Sequence, residues 1–383
     1  MINIKIFFDT LLEKGINFFT GVPDSLLKDF SSYLELNTTD QNHQISSNEG
    51  SAVAMAIGHY LASKSPALVY MQNSGIGNAI NPLLSLASDC VYSIPMILLI
   101  GWRAEIYESG IQLPDEPQHI HQGKITIDQL KIMDIPYVIF SQHDVENNII
   151  LIVKKLIDLS IEKKKPVAIL VRKGAFEAYA NKNQNIPNEL HKLTREESIK
   201  NVVKNIPKKS IVVSTTGMIS RELYEIRNEF KMNNNSDFMV VGGMGHAIQI
   251  AAGIANYKKN QLIVCIDGDG SFLMHSGSHV ISAKFNNLLH VLLNNEAHDS
   301  VGGQPTPLNN VNLCEIAKSF GYKNVNKVYN SIEIKNSIDS MLPKEGSSFI
   351  EISCKKGHRS NLGRPKSSPK ENKEKFMRYL DEQ

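Results

Sequence analysis

Short, uninterrupted apolar runs followed by longer amphipathic stretches recur along this chain, and no other feature restricts its fold as much. In the first 180 residues the runs are Ile16–Phe19, Ala67–Met71, Met96–Ile100, Tyr137–Ile139 and Val167–Val171. Between them apolar residues recur at helical spacing over Leu26–Leu34, Ser51–Leu61 and Val145–Leu159. A strand that is apolar on both faces must be covered on both, and strands that alternate with helices pair in parallel. The pattern lapses over residues 181–197, a polar stretch rich in asparagine, and then restarts. The second set of strands is Ile211–Ser214, Phe238–Val241, Leu262–Ile266, Val291–Leu293 and Phe349–Ile352, with helices near Arg221–Phe230, Ala247–Asn256 and Leu313–Phe320. The expected fold class is therefore α/β, two doubly wound parallel-sheet domains. They should occupy residues 1–180 and 198–365, joined by a linker at 181–197 and followed by a tail at 366–383 that is charged at first and then weakly helical.

A chain of 383 residues has room for two or three domains at roughly 150 residues each. Its 42% hydrophobic content is too high for a disordered protein. With 41 basic and 39 acidic side chains the net charge is +2, so there is no basic excess of the kind that binds nucleic acid. The longest apolar run, Val91–Trp102, contains Ser93 and Pro95 and falls short of the ~20 residues that cross a bilayer. Lys5 and Asp9 interrupt the segment where a signal peptide would be apolar. Cys90, Cys265, Cys314 and Cys354 are far apart and form no CxxC, which argues against a zinc ribbon or a disulfide framework. A cytoplasmic protein without nucleic-acid or membrane partners is the expectation.

Chemistry concentrates at two strand ends. The run Leu262–Ile266 leads into Gly268-Asp269-Gly270-Ser271, and the run ending at Leu293 leads into Asn294-Asn295. Ligands of open α/β sheets gather at the carboxyl ends of strands. A carboxylate and an amide oxygen there suit a hard cation such as Mg²⁺, and the flanking glycines let a diphosphate approach the backbone. A calcium loop beginning at Asp267 fails, because its twelfth position is Ser278 instead of glutamate. A dinucleotide fingerprint is weak in both places it begins: Gly75-Ile-Gly77 runs on to Ile80, and Gly243-Met-Gly245 runs on to Ile248.

The Gly-Asp-Gly, followed after 23 residues by Asn-Asn, resembles the metal–diphosphate motif of thiamine-diphosphate (ThDP) enzymes, with a slightly shorter loop. The resemblance runs over almost the whole chain. It is carried also by Gly21-Val-Pro-Asp-Ser25, Asn48-Glu-Gly-Ser-Ala-Val-Ala54, Asn73-Ser-Gly-Ile-Gly-Asn-Ala79, Gly101-Trp-Arg103, Asp115-Glu-Pro-Gln-His119 with Gln122-Gly123, His298-Asp-Ser-Val-Gly-Gly-Gln-Pro-Thr306 and Leu362-Gly-Arg-Pro365. It narrows to the branch of phosphonopyruvate and sulfopyruvate decarboxylases, which lack the extra domain that larger members carry between these two. Ala104 departs from the family, which more often has glycine there.

The resemblance implies domains of the ThDP-binding type, the cofactors thiamine diphosphate and Mg²⁺, and decarboxylation of a small 2-keto acid. For phosphonopyruvate the products would be phosphonoacetaldehyde and CO₂, a step of phosphonate biosynthesis. Asp269, Asn295 and a main-chain carbonyl near Ala297 would hold the metal. Thr216, Gly217, Gly243, Met244, Gly245, Gly268, Gly270 and Ser271 would hold the cofactor, with Met244 propping it in a bent shape. Glu49, ahead of the small-residue helix Ala52–Ala62, would be the buried acid that activates it, its protonated form favoured by burial. Asp24, His119 and His298 would handle protons. Ser25, Arg103, Gln122, Arg359 and Arg364 would meet the substrate, the arginines because a planar fork can bond two phosphonate oxygens. A homodimer or higher oligomer with active sites between chains is implied too. Sulfopyruvate or another 2-keto acid as substrate, a two-domain nicotinamide or flavin oxidoreductase, and an inactive ThDP-fold subunit remain open at this point.

Overall fold

The computed structural model describes residues 1–107, 109–179, 193–308, 310–342 and 344–383. The chain divides into two units, Met1–Gln184 and Asn185–Gln383.

The first unit holds six parallel strands: β1 (Phe19–Gly21), β2 (His43–Ile45), β3 (Ala67–Gln72), β4 (Met96–Gly101), β5 (Tyr137–Phe140) and β6 (Pro166–Val171), in the order β2-β1-β3-β4-β6-β5. The second holds β7 (Ile211–Ser214), β8 (Asp237–Met239), β9 (Ile263–Gly268), β10 (Leu288–Asn294), β11 (Asn324–Val328) and β12 (Ser348–Ser353), in the order β11-β12-β10-β9-β7-β8. Read from its other edge, the second order repeats the first strand for strand. The strand order switches direction between β1 and β3 in the first unit and between β7 and β9 in the second. That switch point opens a crevice at the carboxyl ends, where ligands of such sheets bind.

Every residue of β4 and β6 is buried, as continuous apolar runs require of a doubly covered sheet. Each such Leu, Ile or Val contributes roughly 1.5–3 kcal/mol of burial. One face of the first sheet packs on an aromatic cluster in which the Phe7 ring meets Phe30, Phe140 and Phe176 at 5.4–5.6 Å.

The linker and the tail each contain ordered structure. Residues 181–192 of the expected linker lie outside the described residues, but the stretch 193–197 is structured. Leu193 bridges Cys354 in parallel, and Thr194 caps the helix Arg195–Asn205 with a reciprocal bond to Glu197. The charged tail, in turn, contains the helix Pro369–Asp381, capped by Ser368 and Glu371. Its Phe376 is buried against Phe238, and Asn372 bonds the backbone of Asp237 and Met239 on β8. The helix thereby satisfies an otherwise open sheet edge.

Candidate active-site elements at the two sheet edges

In the first unit, the candidate residues come together at the carboxyl ends of β1, β3 and β4. The helix Glu49–Ser63 is started by Asn48, whose side chain accepts the Ser51 N–H. Glu49 at its first position is 6% exposed, and its Oε2 accepts from Asn78 Nδ2 at 2.7 Å. A Cβ on Gly75 would sit 2.4 Å from Glu49 Oε1. A side chain at that position would displace the Glu49 carboxylate, so glycine is what lets it pack there.

Asp24, in the turn after β1, is 1% exposed. Its Oδ2 accepts the Leu26 N–H at 2.9 Å, while Oδ1 has no hydrogen-bond partner. Gly101 must also lack a side chain, since a Cβ would fall 2.0 Å from Asp24 Oδ2. Burial pushes the Asp24 carboxyl up to about 6, against the opposing pull of the Leu26 N–H and the Arg103 guanidinium. The folded value lies above the unfolded one, so the folded chain holds this proton more tightly and stability falls as pH rises from about 4 to about 6. Asp24→Asn should therefore stabilise the fold at pH 7.5 by on the order of 2–3 kcal/mol, seen as a higher melting temperature, and the gain should vanish near pH 4. Thermal denaturation at both pH values checks this, and equal gains at both would reject it.

Arg103 follows β4. Its Nε and Nη2 bond both oxygens of Asp115 at 2.8 and 2.5 Å, and Nη1 reaches Ser25 Oγ at 3.2 Å. Burial would push Asp115 up, but Arg103 and the Glu116 N–H outweigh it and hold the carboxyl at about 2. Asn73, fully buried after β3, bonds the Arg103 backbone and Thr126 Oγ1. His119 and Gln122 lie on a helix, Pro117–Ile132. Trp102 Nε1 donates to Gly123 O at 3.0 Å and ties that helix to β4. Ala104 adopts a left-handed φ of 50°, which explains why relatives favour glycine there; the alanine costs about 1–2 kcal/mol.

In the second unit, β9 and β10 are direct neighbours, with Gly268 opposite Leu293. Asp269 and Asn295 therefore sit at adjacent strand ends. Asp269 is 3% exposed and receives the Gly270 N–H at 2.8 Å, the Ala297 N–H at 3.2 Å and the Thr306 hydroxyl at 2.9 Å. No basic side chain is among these partners, and burial pushes the carboxyl up to about 6. A buried acid without a counter-charge fits a hard divalent cation. The two asparagines divide: Asn294 bonds Glu351 at 2.9 Å, and Asn295 faces Asp299 at 2.6 Å.

Around them, Ser271 Oγ bonds Thr215 Oγ1 at 2.9 Å and accepts the Gly245 N–H at 3.0 Å, joining three loops. Thr216 bonds Val241 O at 2.8 Å. Met244 stands between Gly243 and Gly245, whose φ values of 68° and 88° no other residue adopts easily. Gly217, also left-handed, starts the helix Met218–Glu229, and a Cβ there would meet Ser300. His298 packs against Gly270, and burial lowers its imidazole to about 4, so it is neutral at physiological pH. Arg359 is spent on Glu196, Glu225 and Asn361, which removes the fork expected for a substrate anion. Arg364 is exposed beyond Leu362.

A groove of about 640 Å³ lies elsewhere, lined by Pro207, Asn256, Lys259, Lys284, Asn287 and Leu342. It is at the amino ends of β9 and β10, the edge that does not gather ligands. Sequence reasoning passed over Asn78, Asp299 and Arg195; the first two lie inside strings already singled out, while Arg195 carried no signal beyond its capping box.

Residues 4–132 match the family described as thiamine pyrophosphate enzyme, N-terminal TPP binding domain, and residues 213–352 match its C-terminal TPP binding domain. A phosphonopyruvate decarboxylase of Streptomyces viridochromogenes is 28% identical, covering 96% of this chain and 92% of its own. Two Methanococcus maripaludis proteins match parts of the chain. Sulfopyruvate decarboxylase subunit alpha is 34% identical over 43% of this chain and 90% of its own. Subunit beta is 30% identical over 49% of this chain and 98% of its own.

Proposed function

This chain belongs to the thiamine pyrophosphate enzymes, and from that premise we propose that it decarboxylates 3-phosphonopyruvate to phosphonoacetaldehyde and CO₂ with thiamine diphosphate and Mg²⁺. The observation that carries the reading is the buried Asp269 carboxylate, lacking any basic partner, beside Asn295 at the ends of paired strands. Asp269, Asn295 and the backbone near Ala297 would hold the ion. Thr216, Gly217, Gly243, Met244, Gly245, Gly268 and Gly270 would line the cofactor, with Ser271 tying their loops together.

Bound thiamine diphosphate supplies the electron sink without which a 2-keto acid cannot lose CO₂. The protein's part is to move protons and to choose the substrate. Glu49 would share a proton with the cofactor through its buried carboxylate. The net reaction consumes one proton, and Asp24 is suited to deliver it, since burial keeps a fraction of its carboxyl protonated near neutrality. Asp115 would steady the Arg103 fork, and Arg103 Nη1 with Ser25 would meet the phosphonate. Gln122 and His119, on the helix Pro117–Ile132, would complete that end.

The full-length similarity to a phosphonopyruvate decarboxylase supports this substrate. Sulfopyruvate is the second reading, supported by the two sulfopyruvate decarboxylase subunits. A panel of phosphonopyruvate, sulfopyruvate and pyruvate, with aldehyde release as readout, decides between them. Phosphonopyruvate should have the highest kcat/KM. Arg103→Ala should lower that value about 10–150-fold more than it lowers pyruvate turnover, the worth of a charged hydrogen bond at 1.5–3 kcal/mol. Equal losses on both substrates would mean that Arg103 supports the fold alone.

The active form is proposed to be at least a dimer, in which Glu49 of one copy serves the cofactor held by Asp269 of another.

A further inference from the structure

The geometry points to Asp299 as the residue that orients Asn295 for the metal, with Arg195 as the group that holds Asp299 in place. This rests on the metal reading of Asp269 and Asn295 given above, and it adds residues that do not touch the ion.

Three donors converge on a single oxygen of Asp299. Its Oδ2 accepts Asn295 Nδ2 at 2.6 Å, Arg195 Nη1 at 2.7 Å and the Gly357 N–H at 3.0 Å. Arg195 is fixed in turn, because its Nε and Nη2 grip both oxygens of Glu222 at 2.8 Å each. The side chains are buried, at 5% exposure for Arg195, 2% for Glu222 and 7% for Asp299.

An ionised carboxylate can only accept, so the atom of Asn295 that faces Asp299 must be its nitrogen. A carboxamide at a metal site has two orientations of nearly equal shape, and only one presents oxygen to the ion. Asp299 removes that ambiguity, leaving Oδ1 as the atom of Asn295 available to a cation. Outer partners of this kind typically set metal affinity by about 10–100-fold. The residues come from distant parts of the chain: Arg195 from the helix after the described gap, Glu222 from the helix after β7, and Asp299 from the loop after β10. The Gly357 bond attaches the segment after β12 to the same oxygen.

Removing the acceptor, and keeping it without its charge, tests the assignment. Asp299→Ala leaves Asn295 free to turn either face of its carboxamide to the ion and should weaken Mg²⁺-dependent binding of thiamine diphosphate, measured by calorimetry on the full chain, by about 10–100-fold. Asp299→Asn keeps an amide oxygen that can accept from Asn295 Nδ2, Arg195 Nη1 and the Gly357 N–H, and should bind within about tenfold of the parent. Melting temperatures identify any variant that has lost its fold, and the two variants are compared at equal folded fraction. An Asp299→Ala variant that binds as tightly as Asp299→Asn, while Asp269→Ala has lost metal-dependent binding, overturns the role of Asp299 and leaves the metal site standing. If Asp269→Ala binds like the parent, the metal reading itself falls, and this proposal with it.

Discussion

Asp269→Ala should abolish cofactor retention. The substitution removes the charged oxygen donor at the end of β9 and leaves the Ala297 N–H and Thr306 hydroxyl without their acceptor. Residues that only support a metal ligand are worth about 10–100-fold in affinity, and loss of the charged ligand itself should exceed that range. Calorimetric titration of thiamine diphosphate in the presence of Mg²⁺ measures it directly. The fold should survive, because burying Asp269 as an ion is itself unfavourable and alanine is smaller. Binding as tight as in the parent would show that the metal is held elsewhere.

Replacing Glu49 by glutamine should leave binding nearly intact and stop activation. Glutamine keeps the volume beside Gly75 and can still accept from Asn78, so the local packing is preserved. What it loses is a carboxylate that can exchange a proton. Hydrogen exchange at C2 of bound thiamine diphosphate should slow by roughly 10²–10⁴, the range of a positioned acid–base group. Unchanged exchange would remove Glu49 from the chemistry. The same variant also tests the shared site. Mixed with Asp269→Ala under conditions of subunit exchange, it should recover part of the parent activity, since a hybrid dimer contains one intact combination. No recovery after demonstrated exchange would argue for sites built within single chains.

The strings proposed to carry chemistry were legible because each is short and contiguous. Gly268-Asp269-Gly270 needs glycines where a ligand meets backbone, and Glu49 needs small neighbours at the start of its helix. The partners of those residues were less visible. Asn78 reaches Glu49 across 29 positions, and Arg195 reaches Asp299 across 104. Arg103 and Arg359 both read as anion ligands from the motifs in which they stand, and their partners in the structure separate them. Arg103 keeps one N–H toward Ser25, while Arg359 is occupied by Glu196, Glu225 and Asn361.

By itself the sequence determined that there are two parallel α/β units, and it singled out the turns at their strand ends. Central strands such as β4, β7 and β9 are buried on both faces, so their apolar runs announce them. The edge strands β2 and β11 escaped this reading, because His43-Gln44-Ile45 and Asn324-Val-Asn-Lys-Val328 are half polar, as an open edge allows. Only the tertiary structure decided that β9 lies against β10, so that Asp269 and Asn295 meet. Only it decided that the helix Pro369–Asp381 closes the edge at β8, and that a single oxygen of Asp299 gathers donors from three segments. Periodicity reports which face of an element is buried. It carries no information about which other element does the burying, because the hydrophobic effect that drives the packing is non-directional.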